Sequence, residues 1–320
     1  MKVAVYTHEA CLRHDTGPGH PESQSRLRAV LQALEDPACP AVQRIEAPRA
    51  SHEQLQRVHS AAHVAHVLSS SPGAGHAYLD ADTVVCPDSV EAALRAAGAV
   101  CAAVDAVMTT SSRRAFCAVR PPGHHATRDS AMGFCLFNSV AVGAAQALAV
   151  HGLERVAIVD FDVHHGNGTA DIFAADARVL YASSHQSPLY PGTGARGERG
   201  VGNLVNTPLP AGAGSAEFRE AFETTLLPAL DAFAPQLVLV SAGFDAHRLD
   251  PLANLSLDSE DYAWVTGLLG ALAARHASGR LVSSLEGGYS LNALRESTIA
   301  HLRALKLQTR FLQGNLKPEV

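Results

Sequence analysis

The stretch Val156-Ala157-Ile158-Val159-Asp160-Phe161-Asp162-Val163-His164-His165-Gly166-Asn167-Gly168-Thr169 restricts the possible folds more than any other. Its first four residues form a continuous apolar, β-branched run, the pattern of a strand buried on both faces of a parallel sheet. Acids and histidines then crowd onto its C-terminal end. Alternation along an extended chain would point Asp160, Asp162 and His164 the same way. Three ionisable groups on one face of a buried strand end need a compensating partner. A divalent metal meets that need, and the carboxylate and imidazole of Asp162 and His164 are donors of the kind zinc takes.

Other segments repeat the pattern of a short apolar run closing on a polar cluster. Val3 to Tyr6 reads as a first strand. Phe116 to Val119 runs on to Arg120-Pro121-Pro122-Gly123-His124-His125, Val179 to Ala182 to Ser183-Ser184-His185, Leu237 to Ser241 to Ala242-Gly243-Phe244-Asp245, and Leu281 to Leu285 to Glu286-Gly287-Gly288-Tyr289. Helical patterns separate them. Pro21 is placed to open a helix carrying Leu27, Val30, Leu31 and Leu34. Ser51 and Gln54 form a capping box for a short helix bearing His59 and His63, which read as ordinary histidines because no H-E-x-x-H pattern surrounds them. Asp88 and Glu91 are placed to cap an alanine-rich helix reaching Met108. Further helices are expected from Asn138 to His151, Glu217 to Phe233, Asp258 to His276, and onward from Ser290. The tail after Lys306 reads as a peripheral strand or extension.

Strands alternating with helices imply a three-layer α/β fold, a mostly parallel sheet with helices on both faces. Ligands in such sheets sit beyond the carboxyl ends of the strands. His124/His125, Asp162/His164, Asp245 and Tyr289 all follow strands, so four separate segments are expected to meet on one rim. Residues 69 to 88 form a loop long enough to suggest a functional role, with Asp82 a candidate substrate contact.

Composition narrows the function classes. With 47% apolar residues the chain of 320 can bury a large core, and its formal charge of −6, with no basic cluster, argues against a direct nucleic-acid partner. The six cysteines never form C-x-x-C, which favours reduced thiols and a cytoplasmic protein. No signal peptide or membrane-spanning apolar run is apparent. With no internal repeat or linker, residues 1–320 read as one domain.

The cluster suggests a reaction. A catalytic zinc takes three protein ligands and keeps one position open; Asp162, His164 and Asp245 supply the three. Zinc brings the pKa of its water to about 7, and a positioned base must take the proton. His124 and His125 are the candidates, with Asp160 placed to orient His124. Tyr289 is a candidate hydroxyl donor to a developing oxyanion. Together these groups describe amide hydrolysis without a covalent nucleophile.

In this order the motifs resemble the histone deacetylase and acetylpolyamine amidohydrolase family, and within it the class II branch. The likeness runs from Gly19-His20-Pro21-Glu22 through Arg120 to His125, Gly133-Phe134-Cys135, Asp160 to Gly168, Tyr190-Pro191-Gly192-Thr193-Gly194 and Ser241 to Asp245, ending at Glu286 to Tyr289. The resemblance implies an arginase/deacetylase-like fold with about eight parallel strands and a zinc on Asp162, His164 and Asp245. It makes His125 the main general base and acid, His124 an electrostatic helper, and Tyr289 the group that polarises the scissile carbonyl. Gly133, Phe134 and Tyr190 would line an acyl-lysine channel, and Arg26 the inner, acetate-release side. A structural potassium is implied near Asp160, Asp162, His164, Ser183 and Ser184, and an outer one near Phe173, Asp176 and Val179.

Two positions depart from parts of that family. Asn167 stands where class I members place an aspartate beside the second histidine, and class II members carry asparagine. Leu252 stands where polyamine-selective members place an acid. The expected substrate is therefore an acyl-lysine in a protein or peptide, with a small acylated amine such as an acetylpolyamine as the alternative. A homo-oligomer is compatible with the sequence. An arginase-like binuclear manganese site is disfavoured, because Gly166 stands where the second metal needs a carboxylate. A non-catalytic acyl-lysine binding module is disfavoured because every catalytic candidate is present.

Overall fold

The computed structural model describes residues 3–307; the expectation for the tail beyond Lys306 lies almost wholly outside them. In chain order the elements are β1 (Val3–Thr7), α1 (Ala10–Arg13), α2 (Gln24–Ala33), β2 (Val42–Glu46), α3 (His52–Gln56), α4 (Ala61–Ser69), β3 (Ala77–Tyr78), β4 (Val84–Val85), α5 (Ser89–Thr109), β5 (Arg114–Cys117) and α6 (Ser139–His151). The second half adds β6 (Val156–Asp160), α7 (Asn167–Phe173), β7 (Val179–Gln186), β8 (Leu204–Leu209), α8 (Ser215–Ala221), α9 (Leu227–Phe233), β9 (Leu237–Ala242), α10 (Ser259–His276), β10 (Leu281–Leu285) and α11 (Leu291–Lys306).

Eight strands form one sheet in the order β2-β1-β5-β10-β9-β6-β7-β8, and every pairing in it is parallel. Strands β5, β6, β7, β9 and β10 are buried along their whole lengths, which is why β6 and β9 read as nearly continuous apolar runs. The segments carrying His124/His125, Tyr289, Asp245 and Asp162/His164 follow β5, β10, β9 and β6. Those are four adjacent strands at the centre of the sheet, so the clusters share one rim. This is the mostly parallel α/β sheet of about eight strands expected above.

Several expectations need local correction. Helix α2 begins at Gln24, three residues beyond Pro21. The Ser51–Gln54 capping box is present, but α3 ends at Gln56; His59 lies between helices and His63 on α4. Asp88 makes no capping bond; its carboxylate pairs with Arg13 at 2.9 Å. Strand β7 continues through Ser183-Ser184-His185, placed above after the strand, because β8 pairs with it as far as Gln186. Between α8 and α9 the helix widens into one π turn, Phe222–Leu226. The long loop before α5 contains the β3–β4 hairpin, and edge strand β2, Val-Gln-Arg-Ile-Glu, was not foreseen. Its side chains are half-buried or exposed, so it carries no apolar run.

Helix α5 is long and apolar enough to cross a membrane by composition, yet most of its apolar stretch is buried inside the fold. A core helix packed on a sheet has the same composition. All six cysteines are free.

Candidate active site

Strand β6 stops at Asp160, and the next residues leave the strand path. Backbone amides pin this turn to its own carboxylates. Asp162 N–H donates to Asp160 Oδ1 at 3.1 Å, and His164 N–H to Asp162 Oδ1 at 2.9 Å. Strict strand alternation therefore does not bring Asp162 and His164 together; these bonds do. From β9, Asp245 Oδ1 accepts the Val163 N–H at 2.9 Å. His164 Nδ1 then faces two carboxylates, 3.1 Å from Asp162 Oδ1 and 3.3 Å from Asp245 Oδ2.

Room for this cluster depends on glycine. The Gly287 N–H donates to Asp162 Oδ2 at 2.8 Å. A Cβ on Gly287 would overlap Asp245 Oδ2 and crowd Asp162 Oδ2, and one on Gly243 would overlap Asp162 Oδ2. Asp245 Oδ2 is buried with no hydrogen-bond partner among the described residues. Donors about 2.0–2.1 Å from a tetrahedral centre lie about 3.3 Å apart. The two separations and the orphaned oxygen fit a small divalent cation, and the three residues' donor atoms all lie within 4.8 Å of one another.

The histidine pair stands beside this cluster. His124 Nδ1 lies 3.0 Å from Asp160 Oδ2, which also accepts the Tyr181 hydroxyl at 3.0 Å. His125 Nδ1 lies 2.7 Å from Asn167 Oδ1. The Asn167 amide nitrogen faces Met132 Sδ at 3.3 Å, which turns its oxygen toward the imidazole. The His125 Nδ1 nitrogen therefore donates and Nε2 is left as the acceptor. The two rings lie 4.1 Å apart but are driven in opposite directions. Burial works against a charge on His124, yet the carboxylates of Asp162 and Asp160 raise its pKa well above the ordinary value. Burial, then the neighbouring His124 and His164, hold His125 well below it. Paired groups with separated pKa values divide acid and base roles between them.

Tyr289 sits two residues beyond Gly287. Asp250 Oδ2 accepts its N–H at 2.7 Å and that of Ser290 at 3.3 Å. The Arg26 guanidinium lies 4.8 Å from the Tyr289 ring centre. It also donates to the Gly288 carbonyl at 2.6 Å, to Glu22 Oε1 at 2.9 Å and to the Glu286 carbonyl. Arg26 thus forms a wall behind the tyrosine.

The remaining candidates border the same space. Phe134 packs edge-on to Tyr289 at 6.1 Å, and Tyr190 edge-on to His125 at 5.1 Å. Gly133, at φ +56°, lies against the His125 ring, where a Cβ would collide. Leu252 donates its N–H to Asp250 Oδ1 at 3.0 Å and so shares an anchor with Tyr289. The Asp82 carbonyl faces His20 Nε2 at 3.1 Å, and burial, then Asp80, raises the Asp82 carboxyl.

The potassium sites fare differently. Asp160 and Ser183 already use their side-chain oxygens, Ser183 on His185 Nδ1 at 2.9 Å, while the Ser184 hydroxyl is buried without a partner among the described residues. At the outer position three backbone carbonyls converge on one side-chain amide. The carbonyls of Phe173, Asp176 and Val179 all accept from Asn203 Nδ2, at 2.8, 3.1 and 2.8 Å. A side-chain amide stands where a cation was expected.

Sequence reasoning assigned no role to Asp250, Glu286 or Tyr181. Tyr181 also accepts the Gly166 N–H at 2.9 Å. Buried Glu22 was quoted only as part of a motif, yet it pairs with both Arg26 and Arg120. Only a backbone trace could place these groups, since their partners are backbone amides or distant side chains.

Comparison with known proteins places the chain in a family. The Histone deacetylase domain family matches residues 20–305. A Histone deacetylase-like amidohydrolase of Pseudomonas aeruginosa is 41% identical over 312 residues, covering 90% of this chain and 82% of that protein. A Probable deacetylase of Archaeoglobus fulgidus is 39% identical, covering 91% of this chain and 82% of that protein. The crystal structure of the HDA15 HD domain superposes with a TM-score of 0.89 at 38% identity, over 95% of this chain and 88% of that one.

Proposed function

The chain belongs to the histone deacetylase domain family and is a hydrolytic deacetylase, and from that premise we propose that it is zinc-dependent and removes acetyl or other short acyl groups from lysine side chains. The observation that carries this reading is the corner formed by Asp162, His164 and Asp245, with separations of 3.1 and 3.3 Å around a partnerless carboxylate oxygen. These three residues would hold the metal. A bound zinc supplies Lewis acidity and makes water nucleophilic at neutral pH.

The chain's own groups do the rest. His125, neutral and with Nε2 free, takes the proton of the attacking water and returns it to the leaving amine. His124, kept cationic beside Asp160, stabilises the negative charge that develops. The Tyr289 hydroxyl donates to the carbonyl oxygen as it gains charge. Burial, partly opposed by Arg26, holds its phenol well above the ordinary pKa, so it remains a donor at neutral pH. Phe134 and Tyr190 supply aromatic walls for the aliphatic part of an acyl-lysine, with Gly133 fixing the first wall against His125.

Asp82 would meet the substrate at the channel mouth, and Arg26 would border the side where the acid product leaves. We read residues 1–320 as one deacetylase domain, and the free cysteines support a cytoplasmic setting. A potassium at Asp160, Ser183 and Ser184 is supported by the unpartnered Ser184 hydroxyl alone.

The test is turnover of a fluorogenic acetyl-lysine peptide with and without a chelator, beside longer acyl-lysines and acetylpolyamines. Chelator-sensitive turnover favouring the lysine peptide is expected. Metal-independent turnover would remove the zinc reading, and a clear preference for acetylpolyamines would transfer the assignment to small amines.

A further inference from the structure

Glu286 is buried immediately after β10 and has no part in the chemistry described above. Its carboxylate reaches across the rim rather than toward the reacting groups. Oε2 accepts the N–H of Gly123 at 2.6 Å and that of His124 at 3.2 Å. Oε1 accepts the Ser241 hydroxyl of β9 at 3.1 Å. Its own carbonyl accepts from Arg26, the residue that backs Tyr289. One residue therefore joins the turn before the histidine pair, the neighbouring strand and the wall behind the tyrosine.

The histidine turn is fixed equally firmly on its other side. A Cβ on Gly123 would collide with the Ser139 nitrogen and the Phe137 carbonyl, so the turn lies flat on the start of α6. His59 bridges the same region. Its Nδ1 faces the Thr127 carbonyl at 2.8 Å, and its Nε2 accepts the Asn138 N–H at 2.9 Å. The turn is held between α6 and the Glu286 carboxylate, and its two buried N–H groups have that carboxylate as their acceptor. Leaving buried donors unmet is costly, so a carboxylate drawn back from the turn either pulls the turn off α6 or leaves these donors unmet.

We infer that Glu286 is a positioning residue, whose carboxylate fixes where the His124 and His125 imidazoles stand and whose carbonyl locks that position to Arg26 and Tyr289. This rests on the roles given to the histidines and Tyr289 in the deacetylase reading. The action is geometric: what matters is an acceptor at the right reach, and the negative charge is secondary.

Two substitutions separate reach from charge. Glu286→Gln keeps an oxygen for the two amides and an N–H₂ for Ser241, but loses the charge. Glu286→Asp keeps the charge but withdraws the acceptor by about 1.5 Å, one C–C bond. A misplacement near 1 Å can cost about 10²-fold. The expected result is kcat within about threefold of wild type for the glutamine variant and at least about tenfold lower for the aspartate variant. KM and metal content should stay near wild type in both.

The amide proton and nitrogen shifts of His124 give a readout independent of turnover. They should move in the aspartate variant and stay in the glutamine variant. The inference is overturned if the aspartate variant equals or exceeds the glutamine variant, or if both match wild type or fall together. Should the aspartate variant not fold, the glutamine variant decides: a large loss of kcat with an unmoved His124 amide overturns the inference. If wild type itself turns over no acylated substrate, the deacetylase reading fails, and the amide shifts still report on the hydrogen bonds.

Discussion

Replacing Tyr289 with phenylalanine removes one oxygen and leaves the rest of the residue's surroundings in place. The backbone anchors on Asp250 do not involve the hydroxyl. The Arg26 stacking at 4.8 Å and the edge contact with Phe134 involve the ring alone. Among the described residues the hydroxyl makes no hydrogen bond, so its loss exposes no buried partner. Asp162 and Asp245 are acceptors only, and His125 is committed to proton transfer, so no neighbour replaces the lost donor. One oxyanion donor contributes about 2.7–4 kcal/mol, or 10²–10³ in kcat. The Tyr289→Phe variant should lose that factor in kcat and equally in kcat/KM, since the contact strengthens only in the transition state. The assay is steady-state deacetylation of an acetyl-lysine peptide by metal-loaded protein, with zinc content measured on the same sample. Turnover within about threefold of wild type at full zinc content would refute the role.

Three further outcomes are expected. Leu252→Glu places an acid beside the Tyr289 anchor and should raise acetylspermidine turnover relative to the acetyl-lysine peptide; an unchanged ratio would show that this position does not read the amine chain. Asn203→Ala removes the amide from three convergent carbonyls, so its melting temperature should become more sensitive to replacing tetramethylammonium by potassium than that of wild type; equal sensitivity would dismiss the amide as a cation substitute. His301 is held neutral between Thr266 and Ser283 hydroxyls, and burial lowers its pKa to about 3. The unfolded chain therefore binds this proton first, and the stability it contributes is complete above about pH 6.5 and is lost as pH falls toward 3. Wild type should thus lose about 2 kcal/mol relative to His301→Gln between pH 7.5 and 5, measured by urea unfolding; a difference independent of pH would contradict the assignment.

What the sequence reveals depends on how local the cause is. Strands β6 and β9 are legible because complete burial forces unbroken apolar runs. The meeting of His124/His125, Asp162/His164, Asp245 and Tyr289 is legible because parallel strands carry such residues to a common rim. Strand β2 is not legible, since an edge strand with exposed side chains has no hydrophobic pattern to read. His59 was misplaced onto a helix for a related reason. Its ring bonds to the Thr127 carbonyl and the Asn138 amide, partners distant in sequence, and neither periodicity nor capping signals report them. Glu286 and Asp250 act on backbone N–H groups, which every residue possesses, so no residue type marks the other end of the interaction.

The zinc reading also makes a demand on stability that does not depend on turnover. Asp245 Oδ2 is buried and unpartnered, and burial, then the Asp162 charge, pushes the Asp245 carboxyl up to about 7. Two buried carboxylates, Asp162 and Asp245, share this corner, and their mutual repulsion is a local cost to the folded chain that a bound cation offsets. A ligand that binds only the folded state at a hundred times its Kd stabilises by about 2.7 kcal/mol. With an unfolding entropy of about 2.1 cal/mol/K per residue, that is a rise of about 4 °C in melting temperature for a chain of 320 residues. Stripping with a chelator should lower the melting temperature by that amount, and one equivalent of zinc should restore it. Asp245→Asn should abolish the response while leaving the stripped protein folded, because the Asn oxygen still accepts the Val163 N–H. Tight zinc binding with an unchanged melting temperature, or a response that survives in Asp245→Asn, would mean that the ion sits elsewhere, and the corner at Asp162, His164 and Asp245 would lose its assignment even if the protein deacetylates.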